Sequence, residues 1–281
     1  MKVKEVIGAL EKAIPLPFPQ TCDLYHIGDP EAEVKKIVTV FMADVEVIRK
    51  AAAEGVNLII THEPTWHNGL SLPLWGEDKG WKVAGPEYDW LREDPVVLEK
   101  KKLIEENGIT IYRSHDRMHF HKPDLIYYGW IKEMGWEKYL RKDETMWHYD
   151  IPATTLGELA GFFKEKLHMD AVQVIGNPSQ KAEHLSVLVG GGSLGLGDEM
   201  MPMRDMCSSD IDTMVCGETT EWTSISYVRD AAMLGMDKGM IILGHNRTEE
   251  EGMKHFGDFL QPLVGDIPII FIPSGEPVDY Q

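Results

Sequence analysis

The stretch Leu58-Ile-Ile-Thr-His62-Glu63-Pro64-Thr65-Trp66-His67-Asn68-Gly69 decides how the rest of the chain is interpreted. A short apolar run ends abruptly at a histidine and a glutamate, and Pro64 cannot continue a strand ladder. Runs of this kind are typical of buried parallel strands. Ligands of open α/β sheets bind just beyond the carboxyl ends of such strands, so His62 and Glu63 are candidate metal ligands. A polar strand end that only caps a turn is the alternative interpretation.

The composition indicates a globular protein. The chain has 281 residues, of which 43% are hydrophobic, and it contains no apolar run long enough to span a bilayer. The first residues form the pattern of an amphipathic helix and not that of a signal peptide. The cysteines Cys22, Cys207 and Cys216 are scattered, which excludes a disulfide framework or a Cys-x-x-Cys zinc site. We therefore expect a reducing, cytoplasmic location.

The net charge limits the classes of partner. At −18, the chain lacks the basic footprint that passive binding to nucleic acid requires. We expect a small-molecule substrate, and neither nucleic acid nor a membrane. An acidic surface commonly serves solubility, and bound divalent cations would offset part of the charge.

Strands and helices alternate along most of the chain, which predicts parallel strands joined by right-handed crossovers. The predicted fold class is therefore α/β, with two lobes of mainly parallel strands. Strands are expected at residues 36–43, 57–61, 109–113, 146–151, 171–175, 184–189, 212–216, 239–243 and 267–272. Helices are expected at residues 3–14, 45–54, 95–107, 124–134, 156–167, 221–234 and 248–260.

Two stretches depart from this alternation. Residues 67–93 form a long loop, and Trp66, Trp75, Trp81 and Trp90 favour an ordered lid or a surface for a partner. The glycine-rich stretch at residues 190–197 lacks the lysine and the spacing of a P-loop. We therefore expect close backbone approach at a packed turn there in preference to a phosphate cradle.

Three predicted strands end in histidine, at His62, His115 and His245. In one parallel sheet these ends would lie along the same edge. The second histidine opens Ser114-His115-Asp116-Arg117-Met118-His119-Phe120-His121, with three histidines and an aspartate in eight residues. A polar surface loop is the alternative there. His245 and Glu249 are four residues apart at a strand–helix junction, so both side chains can face one point.

Imidazoles and carboxylates without thiolates suit Zn, Fe, Mn or Ni. The number of candidate ligands exceeds what one catalytic ion with an open position needs. It suits two ions bridged by a carboxylate.

The sequence also resembles the Nif-three-like dinuclear metal-centre proteins, whose bacterial members are named type 2 GTP cyclohydrolase I homologues. The residues Ile60-Thr61-His62-Glu63-Pro64 are similar to the family's Thr-His-His-Pro. Gly244-His245-Asn246-Arg247-Thr248-Glu249 matches its Gly-His-x-x-x-Glu. The stretch from Ser114 to His119 resembles a strand-end motif with a histidine and, four residues on, a ligand aspartate.

Two residues depart from the family pattern. Glu63 stands where the family has its second histidine, and His119 stands where it has the aspartate. A reciprocal exchange would keep three histidines and two carboxylates, which gives the ligand set His62, Glu63, His119, His245 and Glu249. Asp116 is the alternative ligand in the second motif, or it orients a ligand histidine. His115 and Asp116 are the candidate acid–base helpers.

The resemblance implies two α/β lobes with the metals in the cleft between them, and a toroidal homohexamer. It implies that residues 1–135 and 185–281 form the fold that carries the ligand motifs. Residues 136–184 would be the central part of the second lobe, without an inserted extra domain. The expected function is a dinuclear-metal-dependent hydrolase that acts on a small phosphorylated or nucleotide-like substrate through a metal-activated water. A non-catalytic metal-binding scaffold or a partner-binding regulatory protein is the alternative.

Overall fold

The computed structural model describes residues 1–67, 72–143, 145–194, 198, 200–208 and 210–281. The chain divides into two compact units. The first comprises Met1–Gly129 and Gly252–Ser274, and the second comprises Trp130–Glu251 and Gly275–Gln281. Each unit contains a five-stranded sheet, which confirms the predicted α/β class with mainly parallel strands. The assignment of residues 136–184 to the centre of a second lobe, with no inserted domain, stays a prediction.

The elements of the described residues follow in chain order. The strands are β1 (Tyr25–Ile27), β2 (Ile37–Val40), β3 (Leu58–Thr61), β4 (Thr110–Arg113), β5 (His148–Thr155), β6 (Gln173–Ile175), β7 (Lys181–Leu188), β8 (Thr213–Cys216), β9 (Gly239–Ile242) and β10 (Ile269–Phe271). The α-helices are α1 (Val3–Ala13), α2 (Val45–Ala53), α3 (Asp89–Arg92), α4 (Pro95–Glu106), α5 (Asp116–Phe120), α6 (Leu125–Met134), α7 (Leu156–Lys166), α8 (Met201–Ser208), α9 (Ser226–Met233) and α10 (His245–Val264).

The first sheet has the strand order β1-β4-β3-β2-β10. Its strands pair in parallel except β1, which runs antiparallel to β4. Every residue of β2, β3 and β4 is buried, as the continuous apolar runs predict for central parallel strands. The register pairs Thr61 with Arg113, so β3 and β4 end side by side.

Local signals in the sequence start the helices of the first unit where they were expected. The Asp44 side chain accepts a hydrogen bond from the Val47 amide (2.8 Å) at the start of α2. Asp94 does the same for the Val96 amide (2.8 Å) at the start of α4. Both are N-caps that satisfy amides without a helical partner.

The second sheet has the order β5-β7-β8-β9-β6, with β7, β8 and β9 parallel and the two outer strands antiparallel. The expectation that His62, His115 and His245 follow strands of one sheet is therefore wrong. The first two follow β3 and β4 of the first sheet, whereas His245 follows β9 of the second. Apolar patterning shows that a strand is buried, but not which strand it pairs with.

Several elements differ from the sequence expectations. Strand β1 and helices α3, α5 and α8 were not predicted, because each is short and lacks a clear apolar period. Helix α10 begins at His245, three residues before the expected start. A π-helical turn at Glu221–Ile225 precedes α9.

Candidate metal centre

Three imidazoles come together beyond the ends of β3 and β4. His62 follows β3 and is fully buried, His115 follows β4, and His119 lies one turn later in α5. The ring centroid of His62 lies 4.6 Å from that of His115 and 5.1 Å from that of His119. One ligand nitrogen from each residue lies within 4.8 Å of the other two. Three imidazoles at this separation could hold a divalent metal ion.

A buried aspartate fixes the start of helix α5, which begins after His115 and carries His119. Asp23 is 2% exposed, and its Oδ1 accepts the backbone N–H groups of His115 (2.8 Å) and Asp116 (2.7 Å). Its Oδ2 accepts the N–H of Arg117 (3.0 Å). The carboxylate thus satisfies the first amides of α5, where a negative charge is favourable. Sequence reasoning missed this cap because Asp23 lies 92 residues before His115.

Asp116 orients His115. His115 Nδ1 donates to the Asp116 carboxylate (3.0 Å), which also accepts from Thr21 Oγ1 (2.7 Å) and from the Cys22 amide (3.1 Å). The hydrogen bond from His115 is the main cause that holds the pKa of Asp116 well below its usual range. These are the contacts of an orienting carboxylate, one of the two roles expected for Asp116.

Cys22 adjoins this pair. Its Sγ lies 3.2 Å from Asp116 Oδ1, and the ligand atoms of Cys22, His115 and Asp116 lie within 4.8 Å of one another. Burial raises the pKa of the Cys22 thiol to about 12. In the metal-free protein the thiol is therefore protonated at neutral pH.

His119 has a similar carboxylate partner. Its Nδ1 donates to Asp124 Oδ2 (2.9 Å). The other oxygen of this carboxylate, Asp124 Oδ1, accepts from the Ile126 amide (2.8 Å). A hydrogen bond at one ring nitrogen selects the other, here Nε2, as the ligand atom. His121, two residues on, instead donates Nδ1 to the Pro123 carbonyl (2.7 Å).

Glu63 has an arginine partner. Arg113 Nη2 lies 3.0 Å from Glu63 Oε2, and Arg113 Nε donates to the His62 carbonyl (3.0 Å). The second oxygen, Glu63 Oε1, lies 4.0 Å from His115 Nε2. The buried guanidinium therefore holds the His62–Glu63 turn against β4 and leaves one carboxylate oxygen beside the imidazole group.

Two buried basic side chains hold the loop that follows. The Thr65 amide donates to His26 Nδ1 (3.3 Å), and its carbonyl accepts from Lys100 Nζ (2.6 Å). Trp66 Nε1 donates to the His26 carbonyl (3.2 Å). Burial is the main cause that lowers the pKa of His26 to about 3 and that of Lys100 to about 8. His26 is therefore a neutral acceptor at Nδ1 at neutral pH.

The second unit contributes a histidine–carboxylate pair. His245 and Glu249 both lie in the first turns of α10, and His245 Nε2 is 3.0 Å from Glu249 Oε2. His245 Nδ1 lies 3.4 Å from Glu218 Oε2, and Glu249 is 3% exposed. The four-residue spacing therefore brings the pair together, as the sequence predicted.

The glycine-rich turn lies against this pair. Gly190 has φ +54°, and a Cβ at this position would overlap Glu249 Oε1 and lie 2.9 Å from His245 Nε2. The Gly190 amide donates to Thr248 Oγ1 (2.8 Å). The turn serves close backbone approach, as predicted, although residues 195–197 of the stretch lie outside the described part of the chain.

The donor chemistry of both groups fits a divalent metal. The first unit offers His62, His115 and His119, and the second offers His245 and Glu249. Imidazole nitrogens and carboxylate oxygens suit Zn, Fe, Mn or Ni.

Among the described residues, no helix is both long and apolar enough to cross a membrane.

These features define an α/β protein with metal-competent histidine groups at the carboxyl ends of parallel strands. The model of the family Duf34/NIF3 (NGG1p interacting factor 3) matches residues 1–73 and 94–277. The chain belongs to this family, which confirms the resemblance drawn from its motifs. Residues 74–93, with three of the tryptophans, lie between the two matched segments.

Relatives and solved structures agree with this assignment. The chain is 22% identical to a "GTP cyclohydrolase 1 type 2 homolog" of Chlamydia muridarum over 99% of this chain and 100% of the relative. It is 23% identical to a protein of the same name from Methanocaldococcus jannaschii, over 96% of this chain and 98% of the relative.

Among solved structures, the Staphylococcus aureus hypothetical protein SA1388 superposes with a TM-score of 0.69 at 17% identity, covering 100% of this chain and 99% of the other. Reduced HcgD from Methanocaldococcus jannaschii superposes with a TM-score of 0.60 at 23% identity, and the match covers 96% of this chain and 97% of the other. At these identities the solved structures establish the fold alone.

Proposed function

We propose that this chain is a dinuclear-metal-dependent hydrolase that acts on a small phosphorylated or nucleotide-like substrate through a metal-activated water. The observation that carries the proposal is that two proposed ligands, His62 and His119, and the proposed acid–base group, His115, each bring a ring nitrogen within 4.8 Å of the others. The name of the relatives, GTP cyclohydrolase 1 type 2 homolog, supports hydrolytic chemistry on a nucleotide-like molecule.

The residues that would hold the ions are His62, Glu63 and His119 of the first unit and His245 and Glu249 of the second, and Glu249 would serve both ions. Two bound ions of Zn, Fe, Mn or Ni would lower the pKa of water and neutralise substrate charge. The chain supplies the orientation of these ligands: Arg113 for Glu63, Asp124 for His119, and the Gly190 turn for Glu249.

His115 is the proposed acid–base group, with Asp116 as its partner. The carboxylate of Asp116 holds the proton on His115 Nδ1 (3.0 Å), so Nε2 is the atom that exchanges a proton with substrate. Thr21 and Cys22 keep the carboxylate in place through their own hydrogen bonds. This arrangement gives His115 one defined tautomer for proton transfer.

The test combines metal counting with turnover. Purified protein should contain two divalent ions per chain by elemental analysis and should hydrolyse members of a panel of phosphoesters and nucleotides. Glu249→Gln should lower turnover by about a hundredfold or more, because it removes the proposed bridging carboxylate. Glu250→Gln is the matched control. Glu250 is the next residue on α10 and, like Glu249, is 3% exposed, but its carboxylate pairs with Arg247 (3.0 Å).

Equal turnover in the two variants would contradict the proposal. If the metal-loaded protein turns over no substrate while a partner co-purifies, the alternative of a non-catalytic scaffold is supported. Trp90, which is 64% exposed, favours that alternative as a contact for a partner. A homohexamer is part of the proposal through the family resemblance, and light scattering after gel filtration measures it.

A further inference from the structure

Residues 74–93, here called the tryptophan segment, form an ordered part of the first unit that the family model does not match. Arg92 ties its ends together, since Nε donates to the Leu74 carbonyl (2.8 Å) and Nη1 to the Gly85 carbonyl (3.1 Å). Leu74 is fully buried and Leu91 is 4% exposed, both within the apolar core of the first sheet. The segment is therefore anchored at both ends.

Trp81 fixes the middle of the segment against the edge strand β1. Its indole stacks on Tyr25, with ring centroids 5.3 Å apart and an interplanar angle of 7°. Gly76 packs so closely on the indole that a Cβ there would overlap it. Lys79 Nζ donates to the Gly28 carbonyl just after β1. The Tyr25 ring and the Gly76 backbone thus set the position of the indole.

A cleft of about 890 Å³ is lined both by this aromatic pair and by Asp116, the carboxylate partner of His115. Tyr25, Trp81, Leu72 and Pro73 form its apolar wall. The lining also includes Thr21 and Cys22, which donate hydrogen bonds to the Asp116 carboxylate that accepts from His115. All of these residues belong to the first unit.

The charges of the lining are mostly engaged within the protein. Asp23 accepts three backbone N–H groups, and Asp116 accepts from His115, Thr21 and Cys22. Glu11 accepts from Tyr112 Oη (3.0 Å). What the cleft offers a ligand is therefore chiefly aromatic and apolar surface, which binds an uncharged ring through burial.

We propose that this cleft binds an aromatic ring of the substrate, whose phosphate end lies at the imidazole group, and that Trp81 determines specificity for that ring. The proposal rests on the proposed function for the identity of the reacting end. It predicts that phosphorylated compounds with an aromatic substituent are preferred over those with a small alkyl substituent.

The test uses three non-reacting probes with the full-length, metal-loaded protein. Phenylphosphonate should bind roughly tenfold more tightly than methylphosphonate, because part of a phenyl ring leaves water. Calorimetry measures both affinities. In NMR spectra of the wild-type protein, the ring protons of phenylphosphonate and of benzyl alcohol should show nuclear Overhauser effects to the indole of Trp81.

A pair of variants isolates the role of the indole. Trp81→Ala should reduce the preference for phenylphosphonate to about twofold or less, whereas methylphosphonate affinity and metal content stay as in the wild type. Trp90→Ala is the control, because Trp90 lies in the same segment but is 64% exposed and does not line the cleft. It should keep the wild-type preference.

The outcomes separate this proposal from the proposed function. Equal affinity for the two phosphonates, or ring contacts that avoid Trp81, overturns the cleft proposal even if hydrolysis is observed. Phosphonate binding that does not depend on metal, with benzyl alcohol still contacting Trp81, supports the cleft and contradicts the hydrolase. If Trp81→Ala does not fold, the nuclear Overhauser effects between the probe rings and Trp81 in the wild-type protein still test the cleft proposal.

Discussion

At the scale of single residues, His26 shows how a buried base makes stability depend on pH. Its ring is fully buried and burial lowers its pKa to about 3, below the ordinary value of 6.5. The unfolded chain therefore takes up a proton near pH 6.5, whereas the folded chain does so only near pH 3. The contribution of neutral His26 to the free energy of unfolding is therefore fully present above pH 6.5, and it is lost as the pH falls towards 3.

We expect this loss to disappear in His26→Asn. In metal-free protein, the free energy of unfolding of the wild type should fall more steeply between about pH 6.5 and pH 5 than that of the variant, by up to about 1.4 kcal/mol per pH unit. Urea unfolding at several pH values measures the slopes. His168→Asn is the control, since His168 is exposed and has φ 53°, a conformation that asparagine tolerates. Identical slopes for wild type and His26→Asn would contradict the expectation.

Sequence reasoning at this scale succeeded where partners are near in the chain. Asp44 and Asp94 cap amides two or three residues on, and the helices that they start, α2 and α4, begin at the residues expected from the sequence. His26 and Lys100 were missed because both bind Thr65, which lies 39 and 35 residues away. The ligand candidates His62 and His119 were found through motif spacing and not through their contacts.

At the scale of elements, helix α5 depends on a carboxylate from another part of the chain. Asp23 accepts three amides at its start, and a five-residue helix has little stability of its own. Asp23→Asn should lower the free energy of unfolding by about 1–3 kcal/mol, because a buried charge-assisted acceptor is lost. It should also weaken metal binding by about tenfold or more, since α5 carries His119.

Chemical denaturation and metal titration measure these two effects. Asp29→Asn is the matched control, because Asp29 is exposed and its carboxylate accepts only a local bond from the Glu31 amide (2.9 Å). If both variants change stability and affinity by the same small amount, Asp23 does not hold α5 in the way that the hydrogen bonds indicate.

At the scale of the whole molecule, the proposed ligand set predicts a response to metal in both units. Binding to the folded state alone should raise the free energy of unfolding by about 2.7 kcal/mol at a metal concentration of a hundred times Kd. Hydrogen exchange should slow at the ends of β3 and β4 and also at the end of β9. His119→Ala should reduce the rise in melting temperature, whereas His121→Ala should not. Protection confined to one unit would contradict the ligand set.

The division into two sheets marks the limit of sequence reasoning at this scale. The class of the fold and most of its strands followed from apolar runs and caps. The membership of β9 in a different sheet from β3 and β4 did not, because strand pairing depends on contacts between distant segments. The edge strand β1 was also missed, since three residues are too few to show a pattern.

The pairing of β10 with β2 has a consequence for synthesis on the ribosome. Ile269 pairs with Ile37, so the first sheet receives its fifth strand from residues that are translated more than 200 positions after β2. Until then β2 has one unpaired edge, the type of surface that nascent chains use in misassembly and that chaperones shield. The second sheet lies wholly within residues 148–242 and is complete in sequence before β10 is made. The first sheet, four of whose strands precede the second sheet along the chain, is therefore completed in sequence only after it.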